Sequence, residues 1–542
     1  MGEAWSRKAR FVVLTLPLLF TIIYFLNNYN YGIRQPRPID QQTSYTNGKG
    51  KGSGKGNDNG LRPPSTHGGS DWWAEFFSRL ETVRPYAAPV AFEGRARADN
   101  WKPDVDYERP DMIQMAAMDE SNLRASHASF ISQLPNFARH LPFARNTTGI
   151  VTTAGTKNFG MVVSFALMVR QTGSRLPIEV VLDSAAPWVK KLCTHTLAPM
   201  DVKCLYLEDA WRGLDTTVAM PKFERFQWKA ISIVACSFQN VLFLDADALP
   251  VLKPDPVFAP GAEPYTSYGF ITYPDFWTPS SSPLFYAIAG DVDVPPLNAR
   301  TTSESGVMWI DKARHADTIL LAVYYNYFGP DHYYAMLTQH GPGEGDKETF
   351  FHAALILDTL SRKTGGYQQP LEWTKNADGK KKGYWDIKKM PKVHGRTAKG
   401  KWRGMFMMQI DPREDYRAET QKLKSVKHTI GARGLDERYF TDSSFLGHIS
   451  NLTFNQDDRL YMFFHHNGAK LDFTQINDEE SGLVATNDEE RYVRLWGNPD
   501  WIIDRTGRDV ERRLFTDAMA IWCETEFHEV CDKMKQIHAQ AY

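Results

Sequence analysis

Cysteine is scarce in this chain of 542 residues: there are five, and no Cys-x-x-Cys pair among them, which argues against a zinc-ribbon or dithiol redox role. A net charge of one sign is also missing, because 63 basic residues stand against 64 acidic ones. No global field therefore selects nucleic acid or an anionic membrane surface as the main partner. No internal repeat period is visible, which sets solenoid architectures aside. What the chain does have is 42% apolar and 13% aromatic residues, enough to bury one large core or two smaller ones.

A long uncharged apolar run occurs near the N-terminus, from Phe11 to Leu26, preceded by Arg7, Lys8 and Arg10. It is at or just under spanning length and reaches it if Asn27 to Tyr31 enter the interface. Bulky Tyr24, Phe25 and Leu26 stand where a cleavage site would need small residues, so an uncleaved signal anchor is expected over 11–31. Basic residues before the span predict a cytosolic tail, residues 1–10, and a lumenal remainder. Residues 32–70 are rich in Asn, Gly, Lys, Ser and Pro, and Asn47 to Gly60 contains no large apolar residue. This segment reads as a flexible stem. A lumenal setting makes Asn146-Thr-Thr148 and Asn451-Leu-Thr453 available as glycosylation sites. It also allows disulfides, for which Cys523 with Cys531 is the expected pair, with a turn between them; an odd cysteine is left over.

Beyond the stem, Asp119 to Leu134 has the spacing and acidic start of a helix, and 71–145 is read as a helical extension of the domain at 146–542. Gly149 to Thr153 and Ile178 to Leu182 read as strands, with a helix at Phe159 to Arg170 between them. Arg225 to Phe238 reads as a helix followed by the strand Asn240 to Leu244. Strand, helix, strand order with strands lacking polar alternation predicts an α/β fold with parallel strands. Gly379 to Gly400, crowded with Lys and Gly, reads as an exposed insertion.

The apolar strand Val241-Leu-Phe-Leu244 ends in Asp245-Ala-Asp247. Two carboxylates at i and i+2 thus leave the C-terminal end of a buried strand, the edge at which α/β sheets bind ligands. Hard cations take oxygen ligands and bridge to substrate phosphates, so such a pair suits Mg²⁺ or Mn²⁺ against a nucleotide diphosphate. An ordinary Asp-x-Asp loop is the competing reading. The two prolines in Ala248 to Asp255 make a rigid extended exit rather than a tight turn.

The run from Lys229 to Asp255 resembles nucleotide-sugar glycosyltransferases of the GT-A fold. Further motifs follow: Glu304 to Lys312 (ESGVMWIDK), Tyr324-Tyr-Asn326, Gly343 to Phe350 (GEGDKETF), Gly404 to Gln409 (GMFMMQ) and Phe464 to Lys470 (FHHNGAK). In that order they resemble the fungal Golgi α-mannosyltransferases that extend and branch mannan, over roughly residues 149 to 471. The Gly343 to Phe350 stretch is most similar to the α-1,2 members.

The resemblance implies a GT-A-like mixed sheet flanked by helices, on a type II Golgi membrane protein with a lumenal catalytic domain. It implies transfer of mannose from GDP-mannose to a mannan or N-glycan acceptor, with retention of configuration, assisted by Mn²⁺ or Mg²⁺. An α-1,3 transferase, another nucleotide-sugar transferase of this fold, or a lumenal carbohydrate-binding or scaffold protein are the alternatives. Asp245 and Asp247 match the metal motif. His465 is the expected third ligand and His466 its neighbour on the opposite strand face. Lys470 and Lys229 are the expected point charges for the leaving diphosphate, and Thr152, Thr153 and Gly155 the expected nucleoside contacts. Asp275 and Trp277 suit a sugar's hydroxyls and face. Ser305, Gly306, Gly345 and Lys347 are expected along the sugar cleft, with Glu304 and Asp346 as acids in the catalytic machinery. No nucleic acid partner is implied, and a Golgi transferase complex is an open one.

Overall fold

A computed structural model of the protein describes residues 69–363, 384–388, 392–398, 401–427, 461–466 and 470–542, apart from 183–184, 212–213, 215–220, 488 and 498. The expected anchor at 11–31, the stem up to residue 68 and Asn451 lie outside the described residues; the last two stem positions, Gly69 and Ser70, begin a helix. Among the described residues no helix is long and apolar enough to cross a membrane.

Seven strands make the main sheet. They are β1 (Ala144–Thr153), β2 (Ile178–Leu182), β3 (Val202–Tyr206), β4 (Phe238–Leu244), β6 (Phe270–Pro274), β7 (Ser303–Asp311) and β8 (Trp385–Asp386). Their spatial order is β8-β6-β7-β4-β1-β2-β3. The β1, β2, β3 and β4 neighbours run parallel, whereas β7 runs antiparallel to both β4 and β6. The sheet is therefore mixed, and the chain reverses its direction of travel between β1 and β4, the kind of switch point where α/β sheets open a ligand crevice.

A second sheet has the order β9-β10-β11-β5, from β9 (Lys392–Ala398), β10 (Lys401–Ile410), β11 (Tyr461–His466) and the short β5 (Ala248–Pro250). Its pairs are all antiparallel. Because β5 follows β4 after three residues, Asp245-Ala-Asp247 forms the corner between the two sheets.

The strands without polar alternation are those buried on both faces. Along β4, Val241 and Phe243 enter one apolar core and Leu242 and Leu244 the other. In β7, Met308 and Ile310 go with the first pair, and Val307 and Trp309 with the second. The first core also takes Trp72, Phe76 and Phe77 of α1 (Gly69–Thr82) and Leu123, Phe130 and Phe137 of α2 (Ala117–Arg139). It is completed by α4 (Gln227–Ala235), α5 (Lys312–Tyr327) and α6 (Lys347–Lys363). The second core holds α3 (Gly160–Gln171), the small sheet, α8 (Val510–Cys523) and α9 (His528–Ala541); α7 (Pro412–Lys427) follows β10. All these residues belong to one unit, Arg62–Tyr542.

Two sequence expectations need correction. The helix expected to run to Phe238 stops at Ala235, and β4 begins at Phe238. The buried Lys312 ammonium donates to the carbonyls of Ile233, Val234 and Cys236 at 3.2, 3.0 and 2.7 Å, satisfying the helix's last acceptors from outside. The Glu179 carboxylate accepts from the Ser237 amide at 2.7 Å and its hydroxyl at 2.6 Å. Both partners are distant in sequence, so local pattern misses the break. Within Gly379 to Gly400, expected as an exposed insertion, the stretch Trp385 to Ile387 is not exposed. Trp385, Asp386 and Ile387 are buried, β8 pairs in parallel with β6, and the Trp385 indole donates to Asp415 at 3.0 Å. The flanking lysines masked a short apolar run.

The expected Cys523–Cys531 disulfide is present, and the turn that permits it lies between α8 and α9. Cys193–Cys204 is a second disulfide, and Cys236 is a buried thiol. Replacing Cys523 and Cys531 by serine should lower unfolding free energy by about 2–3 kcal/mol, the chain-entropy value for so short a loop. The urea midpoint of the double variant against the wild type checks this.

Candidate metal and donor site

The four residues Val241 to Leu244 are fully buried and contribute on the order of 6–12 kcal/mol of apolar burial, an upper estimate. That anchoring fixes where the next residue emerges. Asp245 donates its amide to the Gly306 carbonyl at 2.8 Å, and the Ala248 amide donates to the Asp245 carbonyl at 2.8 Å. The result is a hydrogen-bonded turn with both carboxylates at its rim. The expected extended exit begins one residue later, at Ala248 in β5.

Ala248 in β5 is the partner of His465 in β11, and the His466 amide donates to the Asp247 carbonyl at 2.9 Å. This pairing brings a residue more than two hundred positions away onto the corner. His465 Nε2 lies 3.3 Å from Asp247 Oδ1, and one ligand atom from each of Asp245, Asp247 and His465 falls within 4.8 Å of the others. His466, on the opposite face as a strand requires, packs against the rings of Phe406 and Trp496 at 5.0 and 5.5 Å. The geometry thus distinguishes the two histidines, and His465 is the one facing the acids.

Glu304 and Gln409 complete the His465 environment. Glu304 Oε1 is 3.3 Å from His465 Nδ1, in ion-pair range without hydrogen-bond alignment. The same carboxylate accepts from the Gly306 amide and, at 2.7 Å, from the Gln409 side chain. A methyl group at Gly306 would lie 2.5 Å from His465 Cε1, 2.8 Å from Glu304 and 3.0 Å from Asp245. Glycine is therefore required at this point, because the three ligand-bearing segments close over it.

On the other side of Asp245 sits Lys229, in the first turn of α4. Its ammonium is 3.0 Å from both Asp245 Oδ2 and Asp346 Oδ2 and donates to the Ser305 hydroxyl at 2.9 Å and carbonyl at 3.1 Å. Ser305 in turn donates to Asp346 at 2.9 Å. Lys470 bonds Asp247 and donates to the His466 carbonyl at 3.0 Å. Asp346 and Glu304 are thus engaged with Lys229 and His465. Asp275 and Lys347 pair with each other at 2.8 Å, and the partly buried Trp277 accepts the Thr302 amide at its carbonyl at 2.8 Å. Thr152 is buried, Thr153 donates to the Val181 carbonyl at 2.8 Å, and the space beside Gly155 is open. These three residues end β1, at the same sheet edge as Asp245, because Val151 pairs with Phe243 two residues earlier.

The charges decide what the corner can bind. Four carboxylates (Asp245, Asp247, Glu304, Asp346) against two ammonium groups (Lys229, Lys470) and a neutral His465 leave two negative charges, which one divalent ion balances. Oxygen and imidazole donors on a partly open corner fit Mn²⁺ or Mg²⁺ better than a thiophilic metal. Burial and the nearby Asp247 charge, opposed by Lys229, push Asp245 up to about 6. Burial would also raise Asp247, but Lys470 and His465 hold it well below the usual carboxylate range. Glu304 is held at about 2 because His465 and Lys229 outweigh burial. His465 itself is raised to about 10, since Glu304 and Asp247 overcome the burial that would otherwise discharge it. A histidine ligates as neutral imidazole, so cation uptake here is coupled to loss of that proton.

Glu304 and Gln409 escaped sequence analysis in these roles. Gln409 is the polar residue inside the apolar run Met405 to Ile410, a signal that marks a buried partner but not which one. Imidazole NMR of the ion-free protein should place the His465 midpoint near 10, and Glu304→Gln should move it down by removing one of its two counter-charges; an unmoved midpoint would refute the pairing.

Residues 147–302 and 297–381 match a family model described as "Mannosyltransferase putative". The α-1,2-mannosyltransferase MNN21 of Candida albicans is 28% identical over 442 residues, 74% of this chain and 61% of that protein. Two Saccharomyces cerevisiae α-1,2-mannosyltransferases also match: MNN2 at 26% over 69% of this chain and 64% of its own length, and MNN5 at 28% over 76% and 73%. The chain spans about three fifths of the length of the first of these relatives. Likeness to solved structures is slight. The bifunctional glycosyltransferase WbbM has a TM-score of 0.26 and 11% identity over 37% of this chain and 39% of that one. The galactosyltransferase LgtC has 0.23 and 13% over 39% and 70%. The family model spans Asp245 and Asp247, and the chain is similar to these fungal α-1,2-mannosyltransferases over 69–76% of its length.

Proposed function

We propose that the protein is a metal-dependent α-mannosyltransferase that moves mannose from GDP-mannose to a hydroxyl of a mannan or N-glycan acceptor. The observation that carries this reading is the convergence of Asp245, Asp247 and His465 within 4.8 Å at the sheet switch point. The resemblance supplies the donor, and the names of the relatives, α-1,2-mannosyltransferases, favour mannose and an α-1,2 linkage. A GT-A-like architecture is the fold this reading requires.

Asp245, Asp247 and His465 would hold Mn²⁺ or Mg²⁺, which supplies Lewis-acid stabilisation of the diphosphate as it leaves. Lys470, half exposed and already at the rim, is the cation placed to follow the developing phosphate charge. Lys229, buried between Asp245 and Asp346, fixes the orientation of Asp245 instead. Removing it would leave two buried acids unpaired, at a cost of about 3–5 kcal/mol. Glu304 and Gln409 orient His465, the supporting arrangement that metal histidines need. Thr152, Thr153 and Gly155 are assigned to the nucleoside, and Asp275, Trp277 and Lys347 to the sugars. Asp245 and Asp247 stand on one turn, too close to flank a scissile bond from opposite sides as glycosidase acids do. Same-face attack through an ion-pair-like state, with retention, is the mechanism assigned.

The two disulfides support an oxidising compartment. With the expected anchor at 11–31, they favour a type II protein of the Golgi membrane with its catalytic domain in the lumen.

A donor panel with Mn²⁺ on the purified full-length chain tests the reading, with GDP release, mannose transfer and product linkage as readouts. Asp245→Asn and Asp247→Asn should each lower transfer by at least about 10³-fold while leaving thermal unfolding near the wild type. Transfer that survives either substitution, or release of free mannose in place of a glycosidic product, would be fatal to it.

A further inference from the structure

Most aromatic rings of the described chain are buried in its two cores. Phe226 is 49% exposed, one of four large apolar side chains with that character among the described residues, the others being Tyr86, Met118 and Val294. Its place in the fold sets it apart. It stands at the N-terminus of α4, one turn before Lys229. The helix leads directly into β4 and packs along β1 and α5, so its first turn lies at the edge where Asp245 emerges, as the Lys229–Asp245 contact shows. Residues three apart on a helix have Cβ atoms about 5–6 Å apart.

The backbone beside the ring packs close against it and holds it in place. Gly345, the residue before Asp346, has φ +140°, and a methyl group there would lie 2.9 Å from the Phe226 ring. Arg225, just before Phe226, is in the left-handed region at φ +48°. A non-glycine residue there costs on the order of 1–3 kcal/mol, a cost found mostly at functional sites. Tyr334 supports the ring edge-on, with centroids 6.4 Å apart, and is itself held by a 2.8 Å bond from its hydroxyl to Asn326. A half-exposed phenyl ring thus sits on a rigid base beside the Lys229–Asp346 pair.

We propose that Phe226 is the platform on which a pyranose ring of the acceptor stacks, an inference that rests on the transfer reading above. A sugar ring presents a face of C–H groups, which complements the negative face of an aromatic ring. The flank decides between donor and acceptor. The nucleoside residues lie at the end of β1, on one side of β4, whereas Gly345, against the Phe226 ring, precedes Asp346, which accepts from Ser305 of β7, the strand on the other side. With the diphosphate ligands between them, the ring is on the side from which the attacking hydroxyl must arrive.

The test uses the purified full-length chain with GDP-mannose, Mn²⁺ and an α-linked mannotetraose, with GDP release in the absence of acceptor followed in parallel. Phe226→Ala should raise the acceptor KM about tenfold, the factor that corresponds to about 1.4 kcal/mol. Donor KM and acceptor-free GDP release should stay within about twofold of wild type, well under that tenfold step. Phe226→Trp should retain the wild-type acceptor KM, and Phe226→Leu, which keeps apolar bulk without a π face, should behave like the alanine variant. An unchanged acceptor KM in Phe226→Ala, a rise confined to the donor KM, or full function in Phe226→Leu overturns the proposal. A wild-type chain that releases no GDP from any sample sinks the transfer reading itself, an outcome separate from all of these.

Discussion

The structure turns on a problem of charge. Four carboxylates meet at one corner, three of them at least nine-tenths buried, and like charges in low dielectric repel strongly. The molecule answers with cations on separate elements: Lys229 from α4, Lys470 from beyond β11, and His465 from β11 itself. Each acid has a cationic partner, so the corner persists as a folded object. The partners are unequal, however. Lys229 is sealed between two acids, while Lys470 is half exposed and His465 keeps its charge only because acids flank it. The first is fixed by the acids around it, whereas the other two are the partners held less firmly.

Holding that corner needs both sheets. The main sheet sets the position of Asp245 through fully buried residues of β4, and β5 ties Asp247 to β11 through main-chain bonds. Gly306 on β7 is the point where they touch, and its missing side chain is what lets His465, Glu304 and Asp245 come together. Precision here comes from strands, whose register cannot slip by one residue without turning His465 to the aromatic side and His466 to the acids.

Much of this was legible in the sequence because it is local. An apolar strand ending in Asp-x-Asp carries its own meaning, and so does the paired position of two histidines on opposite strand faces. Cys523 and Cys531 were joinable because only a turn separates them. What escaped was non-local. The end of α4 depends on Lys312 and Glu179, far away in the chain, and the burial of Trp385 on an aspartate in α7. Nothing in the sequence neighbourhoods of Glu304 and Asp346 announces their partners His465 and Lys229. Phe226 read simply as part of a helix, since exposure of an aromatic ring is a property of the assembled surface.

The β5–β11 pairing has a consequence for how the molecule comes into being. Asp245 and Asp247 leave the ribosome some two hundred residues before His465, and α3 shares its core with helices at the very end of the chain. A growing chain therefore carries the acids long before it has their imidazole partner or the second core that seats it. Any product cut short before β11 would keep the acidic turn and the main-sheet strands yet lack one wall of the corner. The acidic corner is in this sense a late product of synthesis: it is complete only once β11 has paired with β5.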